Sequence, residues 1–147
     1  MSIEAKQIIN IMNAWAPQSL AESWDHPGLQ IGNVHTPVKK VLVALDLTAE
    51  NASYAADNGV NLIISHHPFL FRSLHEIDLG TYRGKIIETL IRSSIVSFAA
   101  HTNLDIARGG VNDVLAEKLP SVMYPDLALL KMDLMRILLA EPACSLV

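Results

Sequence analysis

The apolar positions near the start of the chain follow a helical spacing. Ile8, Ile11, Met12 and Trp15 recur at intervals of three and four residues, which predicts a helix with one core-facing stripe. Pro17 cannot continue such a helix, so we expect it to end before this residue.

Three apolar runs farther along the chain are typical of strands. They cover residues 41–47, 62–65 and 95–100. The first does not alternate cleanly between apolar and polar residues, as a strand with one solvent-exposed face would. We therefore expect three strands, of which the first two are covered on both faces.

Helices are predicted between and after these strands. Thr48 is placed as the N-cap of a helix over residues 49–58, and Gly59 can end it in a left-handed conformation. Helical apolar spacing returns over residues 84–94 and again over residues 110–119.

This alternation of strands and helices indicates the fold class. Parallel strands need crossover connections, and helices usually supply them. We predict a layered α/β fold with a mostly parallel or mixed sheet flanked by helices. Residues 25–32, "DHPGLQIG", are interpreted as a turn.

Composition and charge narrow the possible partners and the compartment. A chain of 147 residues, half of them hydrophobic, can bury one core, and a net charge of -4 offers no basic surface to nucleic acid or to an anionic membrane. Cys144 is the single cysteine, which favours a reducing compartment, so we predict a cytoplasmic protein. Glu4 and Lys6 interrupt any signal-peptide pattern, and no apolar run is long enough to span a bilayer.

Polar side chains follow each predicted strand. They are Asp46 after the first, His66 and His67 after the second, and His101 and Asp105 after the third. Ligands of open parallel sheets bind at the carboxyl ends of the strands, so we expect these side chains to share one edge. Imidazole and carboxylate groups without thiolates suit zinc, iron, manganese or nickel.

The adjacent histidines suggest a site with two metal ions. Successive side chains of an extended backbone point in opposite directions, and Pro68 favours extended backbone at His67. Such a pair would bind two different ions more easily than one, and Asp105 could lie between the ions. Two neighbouring ions are a common basis of metal-assisted hydrolysis.

Several alternatives stay open at this stage. His101 could be a third imidazole ligand, a proton shuttle, or a group that orients Asp105. A histidine after a strand is more often structural than a ligand, and Asp46 could simply help to start the next helix. His26, His35 and His75 lie in turn-like polar segments, where we expect them to face solvent.

Four segments of the chain resemble a known family. "SLAESWDHPGLQIG", "VLVALDLT", "LIISHHPFLF" and "AAHTNLDIARGGVNDVLAEKL" have the order and spacing of the GTP cyclohydrolase I type 2 homologues, also called the Nif-three-like dinuclear metal-centre proteins. The similarity covers residues 3–119. We therefore predict a Nif-three-like α/β lobe over residues 1–119 and a divergent tail over residues 120–147.

The resemblance implies a metal site and an assembly. His66, His67 and Asp105 would be metal ligands, in a site that holds two divalent ions (Zn, Fe, Mn or Ni) when complete. Members of the family form ring-shaped hexamers, so a homohexamer is expected. A late histidine and glutamate complete the site in the family, whereas His101 is the last histidine here.

The tail suggests an explanation for the missing ligands. It departs from the family pattern and has an apolar helical stripe, consisting of Leu127, Leu130, Leu134, Ile137 and Leu138. Our hypothesis is a truncated or frame-shifted product whose terminal helix covers apolar surface.

Three hypotheses for function follow. The resemblance implies a metal-dependent hydrolase that acts on a small molecule, in which His101 would transfer protons. The alternatives are a metal-binding scaffold without turnover and an inactive fragment. The sequence has no G-x-x-x-x-G-K-[ST] or G-x-G-x-x-G motif that would indicate a nucleotide phosphate site.

Overall fold

The computed structural model of the chain describes residues 2–118. The helices are α1 (Ala5–Trp15), α2 (Ala49–Asp57), α3 (Tyr82–Arg92), α4 (Thr102–Ile106), α5 (Val111–Lys118) and a short 3-10 helix (Gln18–Leu20). The strands are β1 (Ile3–Glu4), β2 (Gly28–Ile31), β3 (Pro37–Val38), β4 (Val41–Ala44), β5 (Leu62–Ser65) and β6 (Val96–Ala99). The predicted boundary at residues 119 and 120 and the predicted tail helix lie outside the described residues.

A four-stranded sheet forms the centre of the fold. Its strand order is β2-β6-β5-β4, and β1 pairs with β3 in a separate two-stranded sheet. Strands β4, β5 and β6 are parallel, whereas β2 is antiparallel to β6. The predicted α/β fold with a mixed sheet flanked by helices is confirmed.

Helices cover both faces of this sheet. Helices α2 and α3 follow β4 and β5 and pack on one face, where Ile63 is fully buried beside Ala55 and Leu90. Helix α1 packs on the other face, where Leu62 and Phe98 are buried. Neighbouring residues of β5 thus face opposite cores, which confirms that this strand is covered on both faces.

The predicted ends of α2 agree with the structure. The Thr48 side chain accepts a hydrogen bond from the Asn51 backbone N–H, as an N-cap does. Gly59 follows the helix with a φ of 67°, the left-handed conformation expected of a glycine stop.

Helix α1 is rotated relative to the prediction. Ala5 and Ile9 are buried, whereas Ile11 and Trp15 of the predicted stripe are exposed. A second set of positions, 5, 8, 9 and 12, has the same helical spacing and supplies the buried face. The backbone N–H of Ala5 donates to the carbonyl of Thr36, and this anchor helps to set the rotation of the helix.

Two strand predictions also differ from the structure. Val41 and Val43 are exposed, because β4 is an edge strand of the sheet and α1 lies over β5 and β6 instead. Half of the predicted turn over residues 25–32 is strand β2 (Gly28–Ile31), which pairs with β6. The segment begins with residues that are typical of turns, so the sequence did not predict this short strand. Its extended conformation depends on pairing with β6.

Among the helices of residues 2–118, none combines the length and the apolar character that crossing a membrane requires.

Candidate metal centre

The parallel strands bring the predicted site residues together. Ala44 is in register with Ser65, and Ser65 with Ala99, so β4, β5 and β6 end at one level. The segments after these strands therefore start side by side at the carboxyl edge of the sheet, as predicted.

Three imidazole rings meet at this edge. The ring centroids are 5.1 Å apart for His66 and His67, 5.2 Å for His66 and His101, and 5.6 Å for His67 and His101. Each histidine offers one ring nitrogen as a possible ligand, and these three nitrogens all lie within 4.8 Å of one another. Zinc binds imidazole nitrogen at about 2.0–2.1 Å, so small side-chain movements would allow all three to share an ion.

The adjacent histidines do not diverge as the sequence suggested. Strand β5 ends at Ser65, and the backbone bends at His66 and His67. Both of their backbone N–H groups donate to the carbonyl of Leu45, which an alternating strand would not allow. The bend turns both rings towards His101, so side-chain divergence does not support two separate ions, and the number of ions stays a prediction.

The second nitrogen of each ring faces an oxygen acceptor. Nδ1 of His66 lies 2.9 Å from the backbone carbonyl oxygen of Ala100, and Nδ1 of His67 lies 2.7 Å from Oδ1 of Asp46. Nδ1 of His101 lies 3.0 Å from Oδ1 of Asp25. A carbonyl or an ionised carboxylate can only accept a hydrogen bond, so each Nδ1 is expected to carry the proton.

This arrangement is suited to a divalent metal. Proton placement at Nδ1 leaves the lone pair on Nε2, the nitrogen through which a neutral imidazole then binds an ion. Metal-binding histidines usually donate their other N–H to a carboxylate or carbonyl in this way. The donor set of His66, His67, His101 and a carboxylate fits zinc, iron, manganese or nickel.

Asp105 supplies the carboxylate. It projects from α4, and its Oδ1 lies 3.5 Å from Nε2 of His66, close to the separation of about 3.3 Å between two ligands of a tetrahedral ion. Burial raises the pKa of Asp105 above its ordinary value, although His66 and His101, when protonated, lower it. A nearby cation would offset the cost of keeping this carboxylate ionised.

Asp25 is a site residue that the sequence analysis missed. Its side chain is completely buried, and it lies beside His101 at the start of the segment interpreted as a turn. Asp46, which received only a minor role, contacts His67. The position of an acidic residue directly before the "HPG" turn was the only sequence feature that could have indicated Asp25. The burial of Asp25 depends on packing against α4, which the sequence does not indicate.

The other histidines are elsewhere. His26, His35 and His75 are exposed, as predicted. Nδ1 of His35 lies 3.0 Å from Oε2 of Glu4, and neither residue belongs to the segments that follow β4, β5 and β6.

Two exposed aromatic rings border the cluster. Trp24 is 53% exposed and its ring centroid lies 6.1 Å from that of His101. Phe71 is 45% exposed and packs edge-on against Trp24 at 5.9 Å. The cluster thus opens beside a partly apolar rim.

The sequence matches a family model and close relatives. The model for Duf34/NIF3 (NGG1p interacting factor 3) matches residues 3–137, which extends past residue 119. A "GTP cyclohydrolase 1 type 2 homolog" of Listeria innocua is 50% identical over 109 residues, which are 74% of this chain and 29% of the relative. The chain therefore spans less than a third of the length of that relative.

Solved structures agree with this assignment. The crystal structure of a Bacillus cereus protein related to NIF3 is 46% identical, with a TM-score of 0.75 over 79% of this chain and 32% of the other. Reduced HcgD from Methanocaldococcus jannaschii is 34% identical, with a TM-score of 0.75 over 86% of this chain and 52% of the other. Because the family model matches residues 3–137 of the 147-residue chain, this chain belongs to the Duf34/NIF3 family.

Proposed function

We propose that this chain binds divalent metal ions at the carboxyl edge of its sheet. One observation carries the proposal: three imidazoles converge while the Nδ1 of each faces an oxygen acceptor. A structural histidine needs one hydrogen-bond partner, but it does not need two further imidazoles at its other nitrogen. His66, His67 and Asp105 would hold the metal, and His101 has the position of a further ligand.

The finer proposal is a metal-dependent hydrolase with two ions in the complete site. Divalent ions at such a centre polarise a substrate oxygen and make water a stronger nucleophile at neutral pH. In this chain, His101 would accept or donate a proton through Nε2 in a complex where that nitrogen does not bind metal. Its Nδ1 contact with Asp25 would support the positive charge that the ring then gains.

A metal-binding scaffold without turnover is the second candidate. Its support is that the clustered side chains could hold an ion but do not identify a substrate. The names of the relatives suggest GTP chemistry for those proteins, and a small molecule remains our proposed substrate class here. Hexameric assembly and a cytoplasmic location also stay predictions, resting respectively on family resemblance and on the composition of the chain.

Metal titration of the 147-residue chain tests the proposal. We expect Zn²⁺ or Co²⁺ to bind by calorimetry, and elemental analysis to give one equivalent for a shared site or two for a dinuclear one. Removal of a ligand's hydrogen-bond partner lowers metal affinity by about 10–100-fold. The His66→Ala variant lacks the ligand itself, so its metal affinity should fall by more than that.

The control is His75→Ala, which removes an exposed histidine from the loop before α3. It should bind metal like the wild type. Absence of binding by the wild-type chain, or equal binding by His66→Ala and the wild type, would refute the proposed centre. Turnover of phosphoesters, nucleotides or cyclic amides by the metal-loaded chain would favour the hydrolase over the scaffold.

A further inference from the structure

We propose that Asp25 is a positioning residue of the metal centre, whose carboxylate holds the His101 ring with its Nε2 directed at the other two imidazoles. The inference rests on the proposed metal-binding function and assigns a role to a residue outside the ligand set. Asp25 and His101 come together only in the folded chain, because 75 residues separate them in sequence.

The carboxylate of Asp25 is buried and tightly held. Its Oδ1 accepts a hydrogen bond from the His26 backbone N–H at 2.8 Å, and its Oδ2 accepts one from the Thr102 backbone N–H at 3.2 Å. The Thr102 hydroxyl also donates to Oδ2, and it accepts a hydrogen bond from the Glu22 backbone N–H. These contacts fix the carboxylate against the start of α4 without using His101.

The Asp25 carboxylate has other hydrogen-bond donors, whereas Nδ1 of His101 depends on this carboxylate for an acceptor. Nδ1 of His101 is buried and has no well-aligned hydrogen-bond partner, whereas Oδ1 of Asp25 is 3.0 Å away. Leaving a buried N–H unpaired is costly, so the acceptor favours the ring orientation and the tautomer that put the proton on Nδ1. The same tautomer leaves the Nε2 lone pair free for metal.

The charge of Asp25 is compatible with that role. Burial alone would raise the pKa of the Asp25 carboxyl, but the hydrogen bond from the Thr102 hydroxyl and the neighbouring His101 ring lower it. The net pKa lies below its ordinary value, so the group is an ionised acceptor at neutral pH.

The two oxygens of Asp25 separate a positioning role from a structural one. Oδ2 joins Asp25 to Thr102, and Oδ1 faces His101. Because Oδ1 also accepts from the His26 backbone N–H, the amide of an Asp25→Asn variant could turn its oxygen either way, whereas an Asp25→Ala variant removes the acceptor from Nδ1 of His101 in every case. Without that acceptor the ring proton is no longer held at Nδ1, and the Nε2-protonated tautomer, which has no lone pair on the metal side, gains population.

The experiment measures this proton directly in the metal-free chain. Long-range ¹H–¹⁵N spectra of the imidazoles, with His101 assigned by comparison with a His101→Gln variant, should show the Nδ1-protonated tautomer in the wild type. Asp25→Ala should raise the population of the Nε2-protonated tautomer of His101 and weaken Zn²⁺ binding by about 10–100-fold. The matched variant Thr102→Val removes the hydroxyl from Oδ2 but leaves Oδ1 in place, so His101 should keep its wild-type tautomer.

Several outcomes overturn the inference. They are an Nε2-protonated His101 in the wild type, an unchanged tautomer in Asp25→Ala, or a change of tautomer in Thr102→Val equal to that in Asp25→Ala. If Asp25→Ala does not fold, the wild-type spectrum alone decides. A wild-type chain that binds no metal but shows the expected tautomers would refute the proposed function and leave the positioning of His101 by Asp25 intact.

Discussion

Each imidazole of the cluster has one nitrogen beside an oxygen acceptor and the other beside its neighbours. The acceptors differ in kind: a backbone carbonyl for His66, an exposed carboxylate for His67 and a buried carboxylate for His101. A backbone carbonyl is set by the fold, whereas a carboxylate can be changed by a single substitution. The positions of His67 and His101 are therefore the ones that mutation of a neighbour can alter.

Replacement of Asp105 should separate stability from metal binding. Because the folded-state pKa of Asp105 is raised, the protonated form contributes stability at low pH, and this contribution is lost as the pH rises from the ordinary value of 3.8 through the folded value. The Asp105→Asn variant cannot ionise, so in EDTA at pH 7 it should have a higher Tm than the wild type. The difference should narrow as the pH falls, while metal affinity should drop at neutral pH.

Glu117→Gln is the matched control for that change, since Glu117 is exposed on α5. It removes one negative charge from the surface and should alter neither the Tm nor the metal affinity appreciably. A metal-free Asp105→Asn chain that melts below the wild type would contradict the assigned cost of burial.

The sequence could predict most residues of the site but not all of them. Asp46, His66, His67, His101 and Asp105 were predicted to meet because each follows a parallel strand, and strand ends meet by topology. Asp25 precedes a strand that was not predicted, and its burial arises from contact with Thr102. Residues that follow recognisable elements were predictable, whereas a residue placed only by long-range packing was not.

At the scale of elements, the short helix α4 links the site to the rest of the fold. Asp25 accepts a hydrogen bond from its first residue, Thr102, and Asp105 is its fourth residue. Gly110 follows closely, and its backbone N–H donates to the carbonyl of Ala107 at 2.8 Å. The turn after α4 thus constrains where the carboxylate of Asp105 lies.

Gly110→Ala should disturb this helix. An added Cβ would overlap the Leu104 carbonyl oxygen and lie 2.7 Å from the Ala107 carbonyl oxygen. Since rigid backbone groups must move, we expect a loss of about 1–3 kcal/mol in the free energy of unfolding and weaker metal binding. Urea unfolding and metal titration of the same variant measure the two effects.

Gly59→Ala provides the comparison for Gly110→Ala. Gly59 has a φ of 67° and open space around its Cβ position, so alanine there should cost about 1–2 kcal/mol through backbone strain alone. Metal affinity should stay at the wild-type value. Equal effects of both variants on metal affinity would show that stability in general, and not the position of α4, controls the site.

The elements that sequence analysis misjudged are those whose exposure depends on neighbours. Periodicity indicated that α1 is a helix, yet two overlapping stripes were available and contacts outside the helix decide which one is buried. The apolar run of β4 resembles a strand buried on both faces, but its position at the edge leaves Val43 74% exposed. Local patterns predict the type of an element better than they predict its environment.

At the scale of the whole molecule, the proposed metal centre depends on the complete sheet. Its candidate ligands follow β5 and β6, and the carboxylates beside His101 and His67 come from the segments before β2 and after β4. An unfolded chain cannot keep these groups together, so a metal that binds the folded state adds to its stability. Zn²⁺ or Co²⁺ at a free concentration of 100 Kd should add about 2.7 kcal/mol and raise the Tm by roughly 5–15 °C.

Thermal unfolding with and without metal measures this coupling. EDTA should return the Tm to its metal-free value. Acidification should also release the metal, because a metal ion binds only the neutral form of imidazole. Metal should raise the Tm of the His66→Ala chain only a little, whereas it should raise the Tm of His75→Ala as much as that of the wild type. Of these two histidines, only His66 belongs to the cluster. An equal rise in all three chains would mean that the metal binds elsewhere on the surface, because stabilisation through the sheet edge requires the imidazole that follows β5.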